Sequence, residues 1–320
     1  LSSTLSSTLS STLSSTLSST LSSTLSSTLS STLSSTLSST LEDNLIIGDR
    51  GTEFVEFLRS ILRLAYLTDT QIDCLLDSTG IELYGHVFTH KTVDVENNYE
   101  FFELIGDSTL NKSIVWYLSR RFPQLRCTSG VKVLTRLKIN LQCTHTFAAL
   151  GQELGLEKYI SSASRLQGTR STKMLEDVFE AFFGLTEWLI DERFELGQGY
   201  LTCYKLLESL LDTMPLSLKY EDLFDAKTRL KEMFDHFGED ILGTIRYDSE
   251  RIQRTHHVRA IQQFPNSKRN MTRVLGSGQA SNKVNAEQIA ASEMIEILQH
   301  EGYMKPLSED YIRFYQDSVE

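Results

Sequence analysis

The feature that most constrains this chain is a change in the period of its apolar residues at Pro215. Before it, Phe54, Val55, Phe57, Leu58, Ile61, Leu62 and Leu64 recur at helical spacing, and similar runs follow at 72–76, 99–118, 131–150, 174–190 and 200–211. The spacing predicts an almost entirely helical domain over residues 50–213, long enough to bury a sizeable core. Pro123 and Pro215 fall where helices should end, and Pro215 opens the link Met214-Pro215-Leu216-Ser217-Leu218-Lys219. Beyond the link the pattern becomes a helix at 226–237, three alternating or β-rich runs at 241–247, 256–263 and 270–275, and a last helix at 285–298. The expected architecture is mainly α: an all-helical domain, then a small α+β unit (α-β-β-β-α) over residues 219–300.

Residues 1–40 are ten copies of Leu-Ser-Ser-Thr, without charge, Gly, Pro or aromatic groups. Ser and Thr compete with helical backbone hydrogen bonds, so residues 1–41 read as a disordered low-complexity tail outside the fold. They lack the charged start and compact apolar stretch of a secretory signal, and no later run approaches the ~18 apolar residues of a membrane span. A soluble, intracellular protein with no membrane partner is expected, with nucleus and cytoplasm both open. Cys74, Cys127, Cys143 and Cys203 show neither CxxC nor Cys/His spacing and read as buried thiols in a reducing compartment. The acidic end, residues 301–320, reads as a tail without a motif.

A net charge of −11 argues against a phosphate-rich partner until its distribution is considered. Residues 41–218 carry 17 basic and 25 acidic side chains, whereas residues 219–300 carry 12 of each. Within the latter, residues 251–286 hold seven basic residues, two adjacent histidines and no acid.

Two helical segments carry acids among apolar residues. Glu103 and Asp107 lie four apart in the first, and Asp177 and Glu180 lie three apart in the second, each pair on one helix face. Burying such groups costs several kcal/mol unless positive charge compensates. Solvated faces, or pairing with Lys112, Lys173 or Arg165, would explain one pair; two pairs on two core helices suit a hard divalent cation bound by clustered oxygens. The sequence alone does not show that the helices face each other.

Phe88-Thr89-His90-Lys91-Thr92, Tyr99-Glu100-Phe101-Phe102-Glu103-Leu104-Ile105-Gly106-Asp107-Ser108 and Lys173-Met174-Leu175-Glu176-Asp177-Val178-Phe179-Glu180-Ala181-Phe182 resemble, in order and separation, the signatures of the ribonuclease III family, of a virus-encoded or lower-eukaryotic kind. Arg121-Phe122-Pro123 and Leu150-Gly151-Gln152-Glu153-Leu154-Gly155-Leu156 fit the same family. The resemblance implies a metal-dependent endoribonuclease that cuts double-stranded RNA to 5′-phosphate and 3′-hydroxyl ends. Its four metal-site acids fall on Glu103, Asp107, Asp177 and Glu180, for Mg²⁺ with Mn²⁺ able to substitute. Lys173 falls on a catalytic basic residue near the scissile phosphate, and Glu100 and His90 on supporting positions. One nuclease domain per chain implies a homodimer. Phe101 and Phe102 depart from the usual Arg and Leu, and Leu104 from an aromatic that plugs the partner subunit, so the interface is expected to be filled differently.

Asp225-Ala226-Lys227-Thr228-Arg229-Leu230-Lys231-Glu232 and Gly276-Ser277-Gly278 with Asn282-Lys283-Val284-Asn285-Ala286 resemble the first helix and last corner of a double-stranded RNA-binding domain. That resemblance implies recognition of duplex shape across the minor groove, with contacts at Thr228 and Glu232, at His256 or His257 in the loop after the first strand, and at Lys283. The family's lysine cluster is reduced to Lys283, with Arg251, Arg254, Lys268 and Arg269 as candidates to compensate, so weaker and more salt-sensitive binding is expected.

The alternative is a non-catalytic RNA-binding or structural protein on the same fold; the presence of all four acids weighs against it. Ribosomal RNA processing, the usual role of single-chain relatives, and suppression of silencing by a virus-encoded one differ in purpose.

Overall fold

The computed structural model describes residues 44–166, 169–264 and 271–316. The repeat at 1–40 lies outside them, as do Lys268, Arg269 and the side chain of Arg165.

The helical region begins with α1 (Thr52–Leu64), α2 (Asp69–Leu75) and α3 (Ser78–Val87). Thr68 closes a capping box with Gln71 at the start of α2, and the Asp77 side chain accepts from Gly80 N at the start of α3. Next come α4 (Glu100–Arg121), which stops just before Pro123, and two helices where the sequence predicts one, α5 (Gly130–Leu141) and α6 (Thr144–Glu153). The break lies at Cys143, whose extended backbone (φ −79°, ψ 148°) restarts the chain in a new direction. The long α7 (Thr169–Arg193) and α8 (Gln198–Leu211) complete the bundle. A small antiparallel pair, β1 (Leu45–Ile46) with β2 (Ser162–Ala163), was not legible in the sequence.

The helices α4 and α7 pack face to face because both carry glycine where they meet. A Cβ on Gly106 would collide with the Glu180 carbonyl oxygen, and one on Gly184 with that of Phe102. This approach sets the carboxylates of one helix against those of the other.

After the Pro215 link, a single turn α9 (Tyr220–Leu223) leads into α10 (Ala226–Phe237), capped by Asp225, whose side chain accepts from Thr228 N at 3.0 Å. Ile241 and Leu242, expected on the first strand, instead lie in a short helix, α11 (Glu239–Leu242), between Gly238 and Gly243 at positive φ. The sheet is an antiparallel meander of β3 (Thr244–Ile252), β4 (Thr255–Phe264) and β5 (Met271–Ala280), with β4 central. The first two strands join through a tight turn at Gln253 and Arg254, with Gln253 at φ 55°. The ladder extends past the alternating apolar residues to this turn, so the strands outrun the predicted runs. Helix α12 (Lys283–His300) covers the sheet, with Asn282 as its cap.

The buried apolar residues form two clusters, one running from Phe54 to Leu223 and the other from Ala226 to Leu298. The chain then returns: α13 (Glu309–Gln316) inserts Phe314, 1 % exposed, into the first cluster. Residues 301–316 are therefore docked, where the sequence reads only as an acidic tail. Of the four cysteines only Cys203 is buried; Cys74, Cys127 and Cys143 are exposed free thiols, correcting the expectation that all four are buried, because apolar neighbours in sequence do not turn each of them toward the core.

Candidate metal centre

The crossing of α4 and α7 assembles three acids. Glu103 comes from the first turn of α4, and Asp177 and Glu180 from α7; one carboxylate oxygen of each lies within 4.8 Å of the others. Asp177 and Glu180 are 8 % and 6 % exposed. Asp107, one turn beyond Glu103, is exposed outside this trio, with Asn111 Nδ2 donating to its Oδ1 at 2.8 Å. Its charge is nonetheless among those felt by Glu180.

Lys173 spans the opening. It bonds to Asp177, and its Nζ lies 3.2 Å from Glu176 Oε2 and 3.9 Å from Glu103 Oε1. Tyr99, just before α4, donates its hydroxyl to Asp177 Oδ2 at 3.2 Å. Neither Tyr99 nor Glu176 is singled out by sequence reasoning. The signal for Glu176 is present all the same: Lys173, Glu176 and Glu180 follow one another at spacings of three and four, a single stripe of α7.

The electrostatics record the crowding. Burial, then the charge of Asp177, pushes the Glu103 carboxyl up to about 7. Burial, then Glu176, pushes that of Glu180 up to about 8, with Lys173 opposing the rise in both. Burial works against the Lys173 charge, but its bond to Asp177 and the pull of Asp177 and Glu176 outweigh it and hold its pKa above the ordinary lysine value. Burial and the Asp177 charge drive the Tyr99 phenol far above its usual range, so it remains a donor.

The supporting positions lie at one edge. Glu100 is exposed and accepts from Lys91 Nζ at 2.5 Å. His90 packs edge-on to Tyr99, with ring centroids 5.7 Å apart, and its Nδ1 accepts from Thr92 N at 3.1 Å, which assigns the ring proton to Nε2. Burial and Lys91 lower the His90 pKa, in keeping with a neutral ring. Arg50 fixes this edge by donating to the Phe88 carbonyl at 3.1 Å and to Ser161 Oγ at 3.2 Å.

The donor set fits a hard divalent cation: three converging carboxylates from two helices, two of them, Glu103 and Glu180, with raised pKa.

The ribonuclease III domain model matches residues 100–186, the span that holds this cluster. A protein described as a ribonuclease 3 in Invertebrate iridescent virus 6 is 37 % identical over 263 residues, covering 78 % of this chain and 89 % of the viral one. The chain belongs to the ribonuclease III family. The ribonuclease 3 of Francisella tularensis subsp. novicida is 30 % identical over 215 residues, covering 67 % of this chain and 86 % of its own. A solved nuclease domain of ribonuclease III from Campylobacter jejuni aligns at 21 % identity with a TM-score of 0.37, over 51 % of this chain and 99 % of that domain. By its sequence relatives this chain is a ribonuclease III enzyme, with a mainly α-helical nuclease domain followed by a small α+β unit.

In this ribonuclease III the residues matched to RNA contacts are spread over the α+β unit. Thr228 Oγ1 is bonded back to its cap, Asp225, at 2.7 Å. Glu232 accepts from both Tyr220 and Lys305. His256 and His257 stand on β4, opposite Arg251 and Glu250, within the β-rich run at 256–263 and not in the loop that the resemblance implies; the turn itself presents Gln253 and Arg254. The hydrogen-bond ladder continues to the turn and leaves the loop no room for them. Lys283 is exposed at the start of α12, 3.7 Å from Glu287 Oε1. Arg251, Arg254 and Arg259 are exposed on or beside the β3–β4 hairpin, Arg251 and Arg259 on opposite faces of the sheet. Among the described residues no helix is long and apolar enough to cross a membrane.

Proposed function

We propose that this ribonuclease III hydrolyses double-stranded RNA at a divalent-metal site formed by Glu103, Asp107, Asp177 and Glu180, giving 5′-phosphate and 3′-hydroxyl ends. The observation that carries the reading is the convergence of Glu103, Asp177 and Glu180 from two helices that glycines bring together. A bound Mg²⁺, or Mn²⁺ in its place, would supply Lewis acidity and a water acidified enough to attack the phosphodiester. Glu103, Asp177 and Glu180 would hold it, with Asp107 turning in from one helical turn away. Tyr99 orients Asp177, while His90 and Glu100 support that edge. Lys173, at the rim with a side chain 57 % exposed, is placed to meet the scissile phosphate.

The division proposed is a nuclease domain over residues 50–213 and a double-stranded RNA-binding domain over 219–300; the change of core between Leu223 and Ala226 supports a boundary a few residues later. Thr228, Glu232, His256, His257 and Lys283 are proposed RNA contacts, with Arg251 and Arg254 adding charge beside the histidines. Two copies would act together through an exposed apolar patch of Phe101 (55 % exposed), Leu104 (69 %) and Trp188 (42 %). Processing of a ribosomal precursor and destruction of duplex RNA that triggers silencing both follow from this chemistry.

The test is cleavage of a long labelled RNA duplex by the full chain in Mg²⁺, in EDTA, and with Glu180→Gln. Metal-dependent cutting lost in the variant supports the reading. Tight duplex binding without cleavage in either Mg²⁺ or Mn²⁺ would instead indicate a non-catalytic RNA-binding protein.

A further inference from the structure

Glu176 is the acid at this centre without an assigned task. It is 6 % exposed, and its Oε2 is shut off from solvent without a hydrogen-bond donor. Lys173 Nζ lies 3.2 Å from that oxygen and nearer to Asp177, which accepts its hydrogen bond. The contact is a close charge pair in which Glu176 holds Lys173 less directly than Asp177 does. Lys173, three residues before Glu176 and four before Asp177, faces both along one stripe of α7. Its ammonium rides on a flexible stem that can pass from one carboxylate to the other by changing rotamer.

We propose that Lys173 is the built-in counterion of the centre, resting on Asp177 when no metal is bound, and that Glu176 is the positioning residue that receives it when a divalent cation takes Asp177. The inference rests on the metal-site reading above. A cation approaching Asp177 meets an ammonium already there, and the two repel. Without Glu176 the displaced ammonium would have no buried anion to move to, and would compete with the metal. With it, Lys173 stays at the rim, paired, while Asp177 is released to the cation. Glu176 then acts on metal binding through Lys173, as neither ligand nor structural filler.

The experiment is a double-mutant cycle on magnesium affinity, read by titration calorimetry on the full chain without RNA, at fixed pH and ionic strength, for the wild type, Glu176→Gln, Lys173→Met and the double variant. Far-UV circular dichroism verifies that all four are folded. Glu176→Gln, nearly isosteric, is expected to weaken magnesium binding about tenfold, and Lys173→Met to tighten it. In the Lys173→Met background the Glu176→Gln penalty should shrink at least threefold. A smaller reduction, an undiminished penalty, or no penalty in either background overturns the proposal, the undiminished penalty by making Glu176 a ligand or a direct charge. A wild type that binds neither magnesium nor manganese overturns the metal-site reading itself and this inference with it.

Discussion

Lys305 and Glu232, 73 residues apart, form an ion pair that ties the segment after α12 to the exposed side of α10, and the Tyr220 hydroxyl joins them on the same carboxylate. Glu232 is one of the positions proposed to touch RNA, so a duplex that needs it must first displace Lys305. Lys305→Met is therefore expected to tighten binding of a short RNA duplex a few-fold in EDTA, although it removes a positive charge. Measured across a salt series, weaker binding with a shallower salt slope would mean that Lys305 is itself a phosphate contact.

The crossing of α4 and α7 leaves no space at its centre. Gly184→Ala would push a methyl group into the Phe102 carbonyl, and Gly106→Ala into that of Glu180. Each is expected to lower stability by about 1–3 kcal/mol or more in urea denaturation, and to spread the acids so that magnesium binding falls with it. A variant of full stability and full magnesium affinity would show that the helices can slide apart freely.

The carboxyls of Glu103 and Glu180, pushed up to about 7 and about 8, link folding to pH with a definite sign. A raised folded-state pKa means that the folded protein binds these protons more tightly than the unfolded chain. Their contribution is fully present below the ordinary glutamate range and is lost as pH rises through about 7 to 8. Metal-free protein should lose thermal stability between pH 5.5 and 8.5, with a flatter profile in Glu180→Gln. Magnesium binding should strengthen over the same interval and release protons. Calorimetry in buffers of different ionisation enthalpy measures that release directly.

Leu104, 69 % exposed beside the acid Glu103, is the most exposed residue of the apolar patch on α4 and α7. Leu104→Glu is expected to convert a dimer to a monomer in sedimentation velocity at micromolar concentration and to leave the thermal midpoint of the separated chain little changed. A wild type that sediments as a monomer would remove the proposed role of this patch.

What the sequence makes legible follows from periodicity and spacing. The apolar stripes locate the helices, the intervals of three and four put each acid pair on one face, and the bounds of α10 match the predicted 226–237. What it hides depends on approach in space. Gly106 and Gly184 read as weak helix formers, and only the packed structure shows that they let two carboxylate faces meet. The repeat at 131–150 looks continuous because Gln142 and Cys143 do not announce a break. His256 and His257 open the β-rich run at 256–263, but the resemblance puts them in a loop; only the pairing, which runs on to Ile252 and Thr255, shows how short that loop is. Phe314 sits in an acidic stretch whose composition gives no hint that one aromatic returns to a distant core.

That return has a mechanical consequence. The α+β unit is joined to the nuclease by the Pro215 link at one end and, through Lys305 and the buried Phe314, at the other. Arg136 of α5 adds a third tie, donating to Asp225 Oδ2 at 3.0 Å and to the Leu223 carbonyl at 2.8 Å, and a body held at several points does not tumble about its linker. If the α+β unit grips duplex RNA and the acids cut it, as proposed, the span between grip and cut would be fixed by these ties and not by the length of a free linker.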